Sequence, residues 1–201
     1  MNLSKRSFSI FLVPLVVLAF ISTAMAQSEN VPQLEPSYEV TLHVVIGSNE
    51  PGSRADLPSS LSAVTKHLKN NFSFANYRLA NTFLGRISNT GNIEYKSVSN
   101  ILGQEADAES QTILEWSLGP FRSLPNGFQA RGFRFGARIP VRTVAFKDNG
   151  VANTVTNYES VGLTMNMIGL PANTPTLVGT ICLPKTSGTI FLVATVKTAE
   201  L

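Results

Sequence analysis

The sequence predicts an α+β protein, with a mainly antiparallel sheet of about seven to eight strands and one amphipathic helix packed on it. Three observations lead there. Apolar and polar residues alternate with a period of two through most of the chain. Only the stretch from Leu57 to Phe72 carries helical spacing. Turn-forming clusters of Gly, Pro and Asn punctuate the C-terminal half throughout.

The first residues are set aside from the fold. Lys5 and Arg6 precede an almost wholly apolar run, Phe8 to Ile21, and Ala24-Met25-Ala26 offers a small-x-small cleavage site. This is the layout of a secretory signal peptide, with an uncleaved anchor as the alternative. The expected division is therefore 1–26 signal peptide, 27–36 flexible tether and 37–201 a single domain. Any contact with the membrane is through the cleaved signal alone. Expected locations are the periplasm or the outside of a Gram-negative cell. Two of the 16 basic side chains leave with the signal against 13 acidic ones. The mature chain is then close to neutral and gives no electrostatic reason to expect nucleic acid.

Within the domain, Val40, Leu42, Val44 and Ile46 alternate with Glu39, Thr41 and His43, which predicts a first strand over Tyr38–Ile46. Leu57, Leu61, Val64, Leu68 and Phe72 then form one helical stripe of about four turns, with Asp56 as N-cap, Pro58 in the first turn and Asn70-Asn71 at the end. A right-handed crossover would make the two strands flanking this helix parallel, if they are adjacent. Tyr77, Leu79 and Phe83 share a strand face. The turn Asn89-Thr90-Gly91-Asn92 then predicts a β-hairpin with Ile93–Val98. An acidic loop, Gly103 to Gln111, precedes a strand over Thr112–Leu118 that holds Trp116. Further strands follow over Tyr158–Ile168, Leu177–Leu183 and Ile190–Lys197, the last pair joined by a turn at Pro184–Gly188, and Lys147–Gly150 marks another turn.

Chemistry-bearing motifs are scarce. His43 and His67 stand apart, with one distant cysteine, so a zinc ligand set is missing. No G-x-S-x-G elbow occurs, and the expectation is a non-catalytic protein without cofactor or metal. Glu105, Asp107 and Glu109 alternate like calcium-loop ligands but lack the glycine and the closing glutamate of such a loop, so a solvated loop is the better reading. Asn71-Phe72-Ser73 matches a glycosylation sequon. Cys182 lies in an apolar run and reads as a buried small hydrophobe, with an intermolecular disulfide as the alternative.

The concentrated chemistry lies in Phe128–Arg142, FQARGFRFGARIPVR. As a strand it places Phe133, Phe135, Ala137, Ile139 and Val141 on one face, and Gly132, Arg134, Gly136, Arg138 and Arg142 on the other. Arg131 to Phe135 looks like part of the RNA-recognition signature. Yet Arg134 replaces its small residue and Gly136 its valine, and the aromatics continue into a core-like face. No nucleic acid is expected. Arg134, Arg138 and Arg142 lie ~13 Å apart in successive steps of four. One reading is a solvated face, or cross-strand ion pairs with residues such as Glu94, Glu115 or Glu159. The other is a docking surface for an acidic partner or anion at Arg131, Arg134, Arg138 and Arg142, because guanidinium forks suit carboxylates and phosphates.

Leu177-Val178-Gly179-Thr180, followed by a turn and Ile190-Phe191-Leu192-Val193-Ala194-Thr195, resembles the closing strands of bacterial secretin-type β-domains. That resemblance implies envelope assembly. The expected function is an exported assembly or protein–protein interaction module that binds another envelope protein or itself, through the arginine face or an exposed sheet edge. The alternative is a periplasmic binder of a small anionic or lipidic ligand held between the sheet and its helix.

Overall fold

Alternating burial along β1, Ser37–Ser48, sets the first layer. Val40, Leu42, Val44 and Ile46 are buried on one face, while Glu39, Thr41 and His43 are half-buried on the other. The computed structural model describes residues 36–49, 57–99, 111–146, 152–183 and 188–199, all inside one compact unit, Glu35–Leu201. Asp56, the acidic residues of 103–110, Lys147–Gly150 and most of the turn at 184–188 lie outside the described residues.

Eleven strands occur among the described residues, with one 3-10 turn, Ser59–Leu61, and one helix, α1, Ser62–Asn71. After β1 come β2, Asn76–Ser88; β3, Ile93–Ser99; β4, Thr112–Leu118; β5, Phe121–Leu124; and β6, Gly127–Ala130. Then follow β7, Phe133–Phe146; β8, Ala152–Met165; β9, Ile168–Pro171; β10, Thr176–Cys182; and β11, Thr189–Thr198. The protein is mostly β, with more strands than the seven to eight expected. Two segments that read as single strands are broken. Phe128–Arg142 splits at Arg131–Gly132, where Gly132 takes a φ of 103°, and Tyr158–Ile168 splits at a bend after Met165.

The strands form three antiparallel sheets: β10-β11-β1-β2, β3-β4-β7-β8, and the small β5-β6-β9. One core holds Leu42 and Val44 from the first sheet together with Trp116 and Phe135 from the second. A glycine allows close approach at each side of this packing. A Cβ on Gly85 of β2 would collide with Ile93 of β3, and one on Gly179 of β10 with Leu163 of β8. The third sheet closes one end, where Tyr38, Phe121 and Phe128 pack together with ring centroids 4.9–5.3 Å apart.

Three topological expectations are corrected. β2 and β3 do not pair: β2 belongs to the first sheet and β3 to the second, so Asn89–Asn92 is an arch between layers rather than a hairpin turn. The strands flanking the helix are adjacent but antiparallel, with Ser48 opposite Asn76. The chain from Asn49 to Ala75 returns to the end it left, so no crossover occurs. Tyr77 and Leu79 face the helix while Phe83 and Ile87 face the main core. The register passes from Val44↔Asn81 to Val45↔Leu79, which leaves Ala80 as an extra residue, and such a bulge reverses which side later residues face.

The helix is shorter than the expected four turns because its first turn is 3-10 and no side chain caps it. Its stripe is nevertheless as read. Leu61, Val64 and Leu68 are buried against Val45, Tyr77, Phe191 and Val193, with Leu57 and Phe72 packed at the margin. The Tyr77 hydroxyl shares its proton between the carbonyls of Leu68, at 3.0 Å, and Phe72, at 2.9 Å, and so satisfies the helix C-terminus. Tyr77→Phe should therefore lower unfolding free energy by about 1–2 kcal/mol in a denaturant titration, with an unchanged m-value.

Cys182 is exposed, contrary to the buried reading. Ile181 points into the core, so the period of two turns its neighbour outward on the edge strand β10. Among the described residues, no helix is long and apolar enough to cross a membrane.

Candidate functional site

The arginine strand β7 lies inside the second sheet, between β4 and β8. Its inward side is as the alternation predicts. Phe133, Phe135, Ala137, Ile139 and Val141 are buried, and Arg134, Arg138 and Arg142 are exposed on the opposite side. Register supplies the neighbours. The outward rungs read Glu94–Ser117–Arg134–Thr164, then Lys96–Glu115–Gly136–Gly162, then Val98–Ile113–Arg138–Ser160. Arg134 and Arg138 thus stand at either end of two adjacent glycines, Gly136 and Gly162, with Glu115 on one flank and β8 on the other.

Bare backbone between two arginines makes a trench of about 320 Å³, walled by Arg134, Arg138, Glu115, Ser160 and Thr164. A second hollow of the same size adjoins it across Arg134 and Glu115, toward Glu94 and Lys96. The two floor glycines differ in cause. A Cβ at Gly162 would sit 2.7 Å from the Phe135 carbonyl oxygen, so packing requires glycine there. A Cβ at Gly136 would meet nothing within 4 Å. Glycine in a strand interior costs about 0.5–1 kcal/mol relative to alanine, and no internal contact offsets that cost at Gly136.

The charges are arranged asymmetrically. Glu115 pairs with Lys96, with Nζ and Oε1 3.0 Å apart. The Lys96 hydrogen bond and charge hold the Glu115 carboxyl below the usual carboxylate range, and the more distant Arg138 and Arg134 act in the same direction. Glu115 is therefore ionised at neutral pH and engaged by the lysine. Arg134 and Arg138 belong to no ion pair among the described residues. One expected cross-strand ion pair of the face is realised at Glu115, with Lys96 as its partner.

The four sequence-predicted docking residues do not form one cluster. Arg134 and Arg138 share the trench. Arg142 lies two outward positions further, opposite Thr156, on a part of β7 that pairs only with β8 among the described residues. Arg131 is exposed at the break between β6 and β7, where its N–H donates to the Pro120 carbonyl at 2.8 Å. Gly162, Ser160, Thr164 and Lys96 were not singled out from the sequence. Their outward position was readable from alternation, but their place beside β7 depends on register.

Elsewhere the titratable groups are sparse. His43 Nδ1 lies 3.0 Å from Thr82 Oγ1, and burial pushes its imidazole below the ordinary value of 6.5. His67 sits on the helix beside Asn71, whose Nδ2 is 3.3 Å from its Nδ1. No group of three or more His, Cys, Asp or Glu side chains that could hold a metal ion occurs among the described residues.

Compared with known proteins, the chain matches no family profile and no curated protein sequence. Among solved structures it is similar to the "InvG secretin domain beta-barrel from Salmonella SPI-1 injectisome NC-base", at 10% identity and a TM-score of 0.36, over 94% of this chain and 68% of that one. Nothing of the function rests on this likeness.

Proposed function

We propose that the protein is an exported, non-catalytic envelope module that docks another protein on the outer face of its second sheet. The observation carrying this reading is the trench, where two exposed guanidiniums, in no ion pair among the described residues, flank a floor whose Gly136 has no internal packing cause. Guanidinium forks hold carboxylates in defined geometry, and a flat floor admits a backbone. Export is supported by the signal-like layout of residues 1–26.

A ligand held between helix and sheet is disfavoured by packing. Leu61, Leu68, Val45, Phe191 and Val193 have no exposed surface, and they form one contact cluster where such a ligand would have to lie.

Strand addition is a second reading, and it rests on a separate observation. β4 pairs with β7 only as far as Arg138, while β7 and β8 continue as a two-stranded arm through Phe146↔Ala152. Val144, Val155 and Tyr158 are exposed on this arm. Among the described residues neither edge of this two-stranded ribbon is paired, which suits self-association or a partner strand.

The arginine reading is tested by changing Arg134, Arg138 and Arg142 together to Gln. Crosslinking pull-downs from cell envelopes should lose the principal partner by about tenfold or more, with an unchanged far-UV CD spectrum and thermal midpoint. Unchanged capture by the folded variant removes this face from contention.

A further inference from the structure

We propose that the trench takes an extended acidic segment of the partner protein, laid along β7 with carboxylates four residues apart on Arg134 and Arg138 and a small residue over Gly136. This inference rests on the arginine face being the docking surface, and it specifies what docks there.

Length selects the ligand class. Arg134 and Arg138 are four residues apart on one strand, so their Cα atoms stand ~13 Å apart. An extended peptide repeats its side chains on one face at the same interval, so two carboxylates at i and i+4 match the two guanidiniums. An isolated phosphate or carboxylate is only a few ångströms across and fills one end of that span.

The floor selects the middle of the segment. A side chain at position 136 would rise into the trench, because nothing lies within 4 Å of its Cβ. Gly136 therefore keeps space open for something outside the chain, while Gly162 beside it is glycine for an internal reason. The residue facing Gly136 has little height available, hence glycine or alanine there.

The charge balance selects the sign. Glu115, the acidic wall, is held by Lys96, which leaves both guanidiniums to an incoming anion. The hydroxyls of Ser160 and Thr164 face the other rim and can donate to a peptide carbonyl.

The test titrates the full chain with a fluorescein-labelled synthetic peptide carrying Glu-Ala-Gly-Ala-Glu, and with an isomer in which the two glutamates are adjacent. The spaced peptide should bind at least about tenfold more tightly than the isomer. Arg134→Gln and Arg138→Gln should each weaken it about fivefold or more. Gly136→Val is the discriminating variant, because it should abolish binding while its thermal midpoint stays level or rises, valine being a better strand former. Equal binding of the two peptides, retention of binding by Gly136→Val, or displacement by equimolar inorganic phosphate would each overturn the proposal. If the peptide fails to bind but the triple arginine variant still loses its envelope partner, this inference falls and the docking surface stands. If both fail, both fall.

Discussion

Phe191→Ala should lower the unfolding free energy by about 3–5 kcal/mol, among the largest losses available to one substitution in this chain. β11 is the strand that both layers use. Ile190, Leu192, Ala194 and Val196 point into the main core, whereas Phe191 and Val193 point under the helix. Phe191 has no exposed surface and is surrounded by the rings of Phe72, Phe74 and Tyr77, with centroids at 4.8, 6.0 and 5.9 Å. Removing its ring takes away both the buried area and these aromatic contacts. It also removes part of the floor under Leu61, Val64 and Leu68, which they share with Val45, Tyr77 and Val193. The helix is only ten residues long and has no side-chain cap at its start, so it holds its place by packing rather than by intrinsic propensity. Denaturant unfolding should show the fall in midpoint, and helical CD intensity should fall with it. A loss below about 1 kcal/mol would mean that the helix layer is held by something other than this ring.

Phe135→Ala should cost a similar amount, about 3–5 kcal/mol, with a further consequence for the trench. Phe135 is 1% exposed and lies on a rung with Trp116 and Leu163, beneath the outer face. Its own carbonyl is the atom that Gly162 approaches. The strand residues on either side are Arg134 and Gly136, so backbone relaxation into the vacated core would move the trench floor and one of its guanidiniums. Binding to the outer face should weaken along with stability even though no surface side chain has changed. A conservative Phe135→Leu exchange keeps most of the volume and should cost less than about 1.5 kcal/mol while binding is retained.

How far the sequence revealed this arrangement depends on which interactions decide each element. The faces of β1, β4 and β7 were readable because each strand is buried on one side, so burial and alternation coincide. The helical stripe was readable for the same reason at period 3.6. β2 was misread because a single bulged residue, Ala80, reverses the alternation midway, and no residue type announces it. The arch at Asn89–Asn92 has the composition of a hairpin turn, and only the pairing of β3 with β4 distinguishes them. Cys182 was misplaced by the apolar character of its neighbours, whereas its exposure follows from strict alternation with Ile181. The site divides in the same manner. That Arg134 and Arg138 face outward is a property of one strand. That Gly136 lies beside Gly162 and opposite Glu115 is a property of three strands in register, which no single segment encodes.

The central claim is that the outer face of the second sheet meets the partner. Site-specific photocrosslinking in intact cell envelopes tests it most directly, with a photoreactive residue placed in turn at Thr164 on the trench rim, at Thr156 on the arm, and at Thr82 on the outer face of the first sheet. Thr164 should yield a discrete adduct with a second protein, and Thr82 should yield none. An adduct between two copies of this chain, formed at Thr156 alone, would favour strand addition at the arm over the trench. Adducts at Thr82 with none at Thr164 would contradict the account.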